Sequence, residues 1–220
     1  MKATILANGT FPTKTELIND LYNAEFLIVC DGAITHLDHL QIYPNYIIGD
    51  LDSISENLKL KYQDKLIHQK DQETNDLTKA FFYAHNLGFR EFDILGATGK
   101  REDHTIANIA LLTHFIQYAK NISLKSDFGI FSAHYPPCQI SSQKGQQISI
   151  FSFNQNAKLT SKNLKYPLNQ LPLDSLQKGT LNEALSSTFS LSSTDPTPIL
   201  IYQAYELKTQ NVLKTSKHYE

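Results

Sequence analysis

The chain has 220 residues, 41% hydrophobic and 19% charged, with a formal net charge of −2. It is long enough for one large or two small domains with a buried core. The charge balance lacks the basic excess of a nucleic-acid surface, and no apolar run reaches the roughly 20 residues of a membrane helix.

The opening "MKATILANGT" carries one lysine and a short apolar segment interrupted by Asn8 and Gly9. It reads as a first strand and its turn, not as a signal peptide. Further short strands are predicted at residues 25–30, 45–49, 65–69 and 91–97, each an apolar run. Helix patterns alternate with them: 15–22 with Thr15 as N-cap, 33–40, 56–63, 75–88 closed by Gly88, and 103–119. In the last of these Ile106, Ile109, Ala110, Leu112 and Phe115 are available for a buried face. Repeated βα units with apolar strands predict an α/β domain whose mainly parallel sheet is covered by helices. After residue 122 the helix patterns stop. Short alternating segments at 129–135, 147–153, 157–166, 186–193 and 198–203 predict strands, with a long loop at 167–179. That texture is a smaller all-β, sandwich-like domain. The expected division is 1–123 and 124–220. Cys30 and Cys138 are far apart, and Cys30 lies in the apolar run "FLIVC". A buried free thiol suits a reducing compartment, and the expected location is the cytoplasm.

Ligands of open parallel sheets bind beyond the carboxyl ends of the strands. Asp31 follows the second predicted strand, and Asp50 and Asp52 in "YIIGDLDSI" follow the third. Lys70, Asp71 and Gln72 follow the fourth, with Asp76 at the next helix start. "TGKREDH" follows the fifth, with Lys100, Arg101, Asp103 and His104. Two carboxylates about 6 Å apart repel by roughly 3 kcal/mol at an effective dielectric near 20, so something must offset the Asp50–Asp52 pair. Each element has an ordinary explanation. Asp31 can cap a helix, Asp50 and Asp52 can form a solvated turn, and Asp76 and Asp103 can sit at helix starts for the dipole. "GATGKRED" lacks the Walker spacing. Recurrence after four strands, with cations among the acids, favours a site for a divalent ion and, through it, a polyphosphate.

The runs "DGAITHLDHLQIYPNYIIGDLDSI" (31–54), "KDQETNDLTKAF" (70–81) and "GATGKREDHTIANIALL" (96–112) resemble the thiamine pyrophosphokinase family. "TSKNLKYPL" (160–168) and "GTLNEA" (179–184) continue the likeness almost to the end of the chain. The resemblance implies transfer of the diphosphate of ATP to the hydroxyl of thiamine, with Mg²⁺, by a homodimer whose thiamine site lies near the interface. Charge balance and hydropathy, as above, predict no membrane and no nucleic-acid partner. By motif, Asp50, Asp52, Asp76, Arg101 and Asp103 are the expected catalytic residues, with Asp50, Asp52, Asp76 and Asp103 as metal ligands. Lys100, Arg101, His104 and Asp71 are expected at the nucleotide, and Asp31, Gln72, Thr180, Asn182 and Leu164 at the substrate. Asp76 is the first choice of proton acceptor, with Asp71 and Asp103 open. The chain departs from the family pattern after the second strand, where Ala33-Ile34-Thr35 stands for glycine-alanine-asparagine, and at Asn75 for threonine, Asn163 for glycine and Leu181 for serine. The rival readings are a Mg²⁺-dependent phosphohydrolase or nucleotide-sugar transferase using the D-x-D pair, and a non-catalytic thiamine or nucleotide sensor.

Overall fold

Six apolar segments of the first half pair as parallel strands: β1 Lys2–Leu6, β2 Leu27–Cys30, β3 Tyr46–Gly49, β4 Leu66–His68, β5 Glu91–Leu95 and β6 Asn121–Ser126. The computed structural model describes residues 1–71 and 73–207. The chain divides into one unit of Met1–Asp127 and another of Phe128–Glu220. In the first unit the strand order is β6-β5-β1-β2-β3-β4, every pair parallel. Strands β2 to β4 step away from β1 in one direction, and β5 and β6 step away in the other. The crevice of such a sheet opens where that direction reverses, between the carboxyl ends of β1 and β5.

The connecting helices are α1 Thr15–Tyr22, α2 Ile34–His39, α3 Glu56–Lys61, α4 Asp76–Asn86 and α5 Glu102–Phe115. Leu17 and Leu21 of α1, one turn apart, join Leu27, Val29, Ile34, Leu37 and Ile47 in one buried cluster. Phe81 of α4 stacks on Phe115 of α5 at 4.0 Å between ring centroids and meets Phe92 of β5 at 4.5 Å. Helix α4 ends as its sequence predicts: Gly88 takes φ +95°, where a side chain would be strained.

Several local expectations are corrected. Lys14, not Thr15, occupies the N-cap position of α1, and no side chain caps it. The buried stripe of α5 is Asn108, Leu112 and Phe115, while Ile106 is 68% exposed. Two residues of helix turn a side chain by about 200°, so Ile106 and Asn108 face opposite ways. Strand β6 was not expected, the domain boundary being placed there. Ile122 and Leu124 alternate inward as a strand requires, but Lys125 hides in ion pairs with Asp20 and Asp93. The expected division at 123/124 falls inside this strand.

The second unit contains β7 Gly129–His134, β8 Cys138–Ser141, β9 Gln146–Ser152, β10 Lys158–Lys162, β11 Leu171–Pro172, β12 Asn182–Glu183, β13 Thr188–Ser193 and β14 Ile199–Leu207. They pair antiparallel as β12-β9-β14-β7 and as β11-β10-β13-β8. Ile148, Ile150, Ile199 and Ile201 of the first set share one core with Ile140, Leu159, Phe189 and Leu191 of the second. The predicted all-β domain is therefore two antiparallel sheets over one core. β8 and the short β11 and β12 were not expected, and the strand expected over 157–166 stops at Lys162. Among the described residues no helix is long and apolar enough to cross a membrane.

Candidate active site

A cleft of about 440 Å³ opens at the carboxyl ends of β1, β2, β3 and β5, where the strand order reverses. Asp31, Asp50, Asp52 and Asp76 line its acidic side. Asp50 and Asp52 flank Leu51, whose φ of 65° turns the chain sharply. The backbone N–H of Asp52 donates to Asp50 Oδ1 at 3.3 Å, and the Ser53 hydroxyl donates to Asp52 Oδ1 at 3.0 Å. Asp31 follows β2 with φ 36° and is buried. It caps nothing: its Oδ1 is buried with no hydrogen-bond partner. Burial pushes its carboxyl above the usual range, and the charges of Asp76, Asp50 and Asp52 push the same way.

One carboxylate oxygen from each of Asp31, Asp50 and Asp52 lies within 4.8 Å of the other two. Three carboxylates offering hard oxygen donors, with Asp31 buried and its Oδ1 unpartnered, fit a divalent cation such as Mg²⁺. Gly49 makes this convergence possible. A Cβ there would stand 2.9 Å from Asp31 Cβ and 3.4 Å from Asp76 Cγ.

The opposite wall is cationic. Lys100, Arg101 and His104 line the cleft where α5 begins, so two cations share its lining with the carboxylates. Lys100 Nζ donates to Asn8 Oδ1 at 3.2 Å. Arg101 grips Asp103 with two bonds, Nε to Oδ1 at 3.1 Å and Nη2 to Oδ2 at 2.6 Å. Arg101 holds the Asp103 carboxyl down at about 2, helped by the backbone N–H of His104.

The remaining expected residues are placed elsewhere. Asp103 lies outside the lining of the cleft, occupied by Arg101. Asp71 is exposed and accepts from the Glu73 N–H at 2.9 Å and from the Thr74 hydroxyl. Gln72 lies outside the described residues. In the second unit Leu164 is buried in the core and bridges to Ala184. Thr180 donates its hydroxyl to Gln177 O at 2.7 Å. The buried Asn182 side chain accepts from the N–H groups of Tyr166 at 3.1 Å and Glu183 at 2.8 Å, and donates to Tyr166 O at 2.7 Å.

Residues 18–125 match the family model described as thiamin pyrophosphokinase, catalytic domain, and residues 129–202 match the one described as thiamin pyrophosphokinase, substrate-binding domain. The chain is 30% identical over 147 residues to a thiamine pyrophosphokinase of Bacillus subtilis, covering 63% of this chain and 67% of that one. The chain belongs to the thiamin pyrophosphokinase family. A second relative, thiamin pyrophosphokinase 1 of Caenorhabditis elegans, is 29% identical over 122 residues, which span 51% of this chain and half of the nematode protein. The crystal structure of the Bacillus subtilis thiamine pyrophosphokinase superposes with a TM-score of 0.78 at 25% identity, covering 94% of this chain and all of that one. Thiamin pyrophosphokinase from Candida albicans shares the fold, with a TM-score of 0.78 at 18% identity over 92% of this chain and 90% of that chain.

Three of the departures from the thiamin pyrophosphokinase motifs have physical accounts here. Ala33 is accommodated because its φ is −62°, the left-handed residue of that turn being Asp31. Asn163 takes φ 63°, which asparagine tolerates better than most residues. Asn75 caps α4, its Oδ1 accepting from the Thr78 N–H at 2.9 Å. Leu181 is 66% exposed with φ 58°, and nothing in the structure explains it. Two cleft residues were given no role by sequence reasoning. Lys79, which closes the D-Q-x-x-x-D-x-T-K segment within "KDQETNDLTKAF", is buried and ion-paired to Asp76 one turn before it, and the i, i+3 spacing was the further signal. Asn108 looks like a polar slip in an apolar helix. It instead accepts from Asn75 Nδ2 at 3.0 Å and donates to Ala97 O at 2.8 Å, tying the start of α4 to the loop after β5.

Proposed function

We propose that this chain transfers the diphosphate of ATP to the hydroxyl of thiamine, giving thiamine diphosphate and AMP. The observation that carries the reading is the convergence of Asp31, Asp50 and Asp52 in one cleft with Lys100 and Arg101 at the start of α5. Acidic and cationic walls facing each other match a metal-bound polyphosphate, which carries both signs of charge. The family gives the chemistry its substrates.

Mg²⁺ held by Asp31, Asp50 and Asp52, with Asp76 beside them, would supply charge compensation for the phosphate oxygens. Lys100 and Arg101 hold oxygens on the other side, and Asp103 fixes the plane of the guanidinium rather than joining the metal. The thiamine hydroxyl oxygen bonds to the β-phosphorus while the bond from that phosphorus to the oxygen bridging it to the α-phosphate breaks. AMP leaves with that oxygen, and Asp76 takes the hydroxyl proton. In-line alignment does most of the work, because little covalent chemistry is asked of the protein. By the family likeness Asn182, with Thr180, contacts thiamine. By the same likeness the working form is a homodimer, with a solution mass of twice the 24.9 kDa chain.

The test is AMP release from ATP and Mg²⁺ with and without thiamine, products resolved by chromatography. The reading requires thiamine-dependent AMP matched by thiamine diphosphate. ATP consumption indifferent to thiamine would replace it with a phosphohydrolase, and binding without turnover would replace it with a sensor.

A further inference from the structure

Lys79 inverts the usual arrangement of a helical ion pair. On a helix surface both partners of an i, i+3 pair are solvated and the pair contributes a few tenths of a kcal/mol. Here the lysine side chain is 6% exposed and its carboxylate partner 32% exposed, with Nζ 3.1 Å from Asp76 Oδ1. Burying an ammonium costs several kcal/mol unless good partners surround it. A hydrophobic residue at this position of α4 would pack against the sheet without that cost, as Ala80, Phe81 and Ala84 do. Lys79 also lines the cleft, beside Cys30 and Asp31. Asp76 is therefore confined from two sides, with the Cβ-free backbone of Gly49 against its Cγ and Lys79 on Oδ1. Among the described residues Oδ2 of Asp76 has no hydrogen-bond donor.

We infer that Lys79 is a positioning residue for the transfer: it clamps Oδ1 of Asp76, leaving Oδ2 to meet the substrate hydroxyl, and it offsets one negative charge in a cleft lined by four carboxylates. The inference rests on the proposed diphosphate transfer for its kinetic consequence and on electrostatics alone for its metal consequence. Removing the lysine charge leaves the carboxylates less compensated, so the empty cleft attracts Mg²⁺ more strongly while turnover suffers.

The variants are Lys79→Met, which keeps the length of the side chain without its charge, and Lys79→Arg, which keeps the charge with a different reach. Wild type and both variants are compared by steady-state kinetics of thiamine-dependent AMP release, by calorimetric titration with Mg²⁺ alone, and by thermal melting. For Lys79→Met the expected result is kcat at least tenfold lower, KM for ATP and thiamine changed less than threefold, and Mg²⁺ bound severalfold more tightly. Lys79→Arg is expected to bind Mg²⁺ as wild type does while recovering kcat only in part. Unchanged kcat, a loss confined to KM for ATP, or Mg²⁺ affinity unchanged or weaker in a folded Lys79→Met would overturn the inference. If Lys79→Met does not fold, Lys79→Arg decides: reduced kcat at unchanged KM supports positioning, and wild-type kcat refutes it. If wild type itself shows no thiamine-dependent AMP, the proposed function fails, and the Mg²⁺ titration still judges the electrostatic role of Lys79.

Discussion

Asp50 and Asp52 carry a double cost in the metal-free chain. Leu51 between them sits at φ 65°, a region that costs a branched side chain on the order of 1–2 kcal/mol. Unit charges 4.8 Å apart, the span of the acidic cluster, repel by roughly 3–4 kcal/mol at an effective dielectric near 20. A turn with no other duty would relax both. Asp52→Asn is accordingly predicted to melt a few degrees higher than wild type without Mg²⁺ while losing turnover by about 100-fold or more. A variant that loses activity and melting temperature together would reveal a structural turn. Asp93 makes the contrasting case. Burial alone would raise its carboxyl, yet hydrogen bonds from Lys125, Lys2 and Ser123 hold it below the usual range. A folded carboxyl held low stabilises the protein above the ordinary carboxylate range, and that contribution drains away as pH falls below about 4. Asp93→Asn is predicted to cost about 2–4 kcal/mol at neutral pH, as for one partner removed from a buried pair, and to flatten the acid limb of a melting-temperature series. The paired aspartates were readable because like charges after an apolar run demand an explanation. Asp31 was read as acidic but assigned to substrate, since no sequence shows a buried carboxylate oxygen without a partner.

Among the elements, α4 does the most for the site. Asn75 caps it at one end and reaches Asn108 of α5 at the same time, so the carboxylate-bearing first turn is tied to the loop that leads to Lys100. Asn75→Ala removes both bonds and is predicted to lower stability by about 1–2 kcal/mol, readable as a shift of the urea midpoint without change of slope. Asn75→Asp, which can still cap but cannot donate to Asn108, should recover most of that loss; failure to do so would mean the cap contributes little. Helix α4 was legible from end to end because its signals are local: a polar cap, periodic apolar residues and Gly88. Helix α5 was not, because the residue that heads its buried stripe is Asn108, and a hydrophobic pattern cannot include a buried amide. Strand β6 was missed for a related reason. Ser123 and Lys125 look like linker residues until Asp93, 30 or more positions away, supplies their partner.

At the scale of the molecule, the succession of an α/β half and an all-β half follows from local pattern: apolar runs with turn-forming ends for the parallel sheet, then alternating short strands for the second unit. The strand order does not. Nothing local in the sequence says that β5 returns to pair with β1, yet that return places Arg101 opposite Asp50 and Asp52 around one crevice. The same chemistry split between two ends of a sheet would bind neither metal nor polyphosphate. The central claim is that this crevice moves a diphosphate intact, and the most direct measurement follows the label from ATP carrying ³²P at the β-phosphate in the presence of thiamine and Mg²⁺. The predicted result is label in thiamine diphosphate, mole for mole with AMP, and abolished in Asp52→Asn. Label recovered in ADP or in inorganic phosphate or pyrophosphate, with thiamine unmodified, would contradict it.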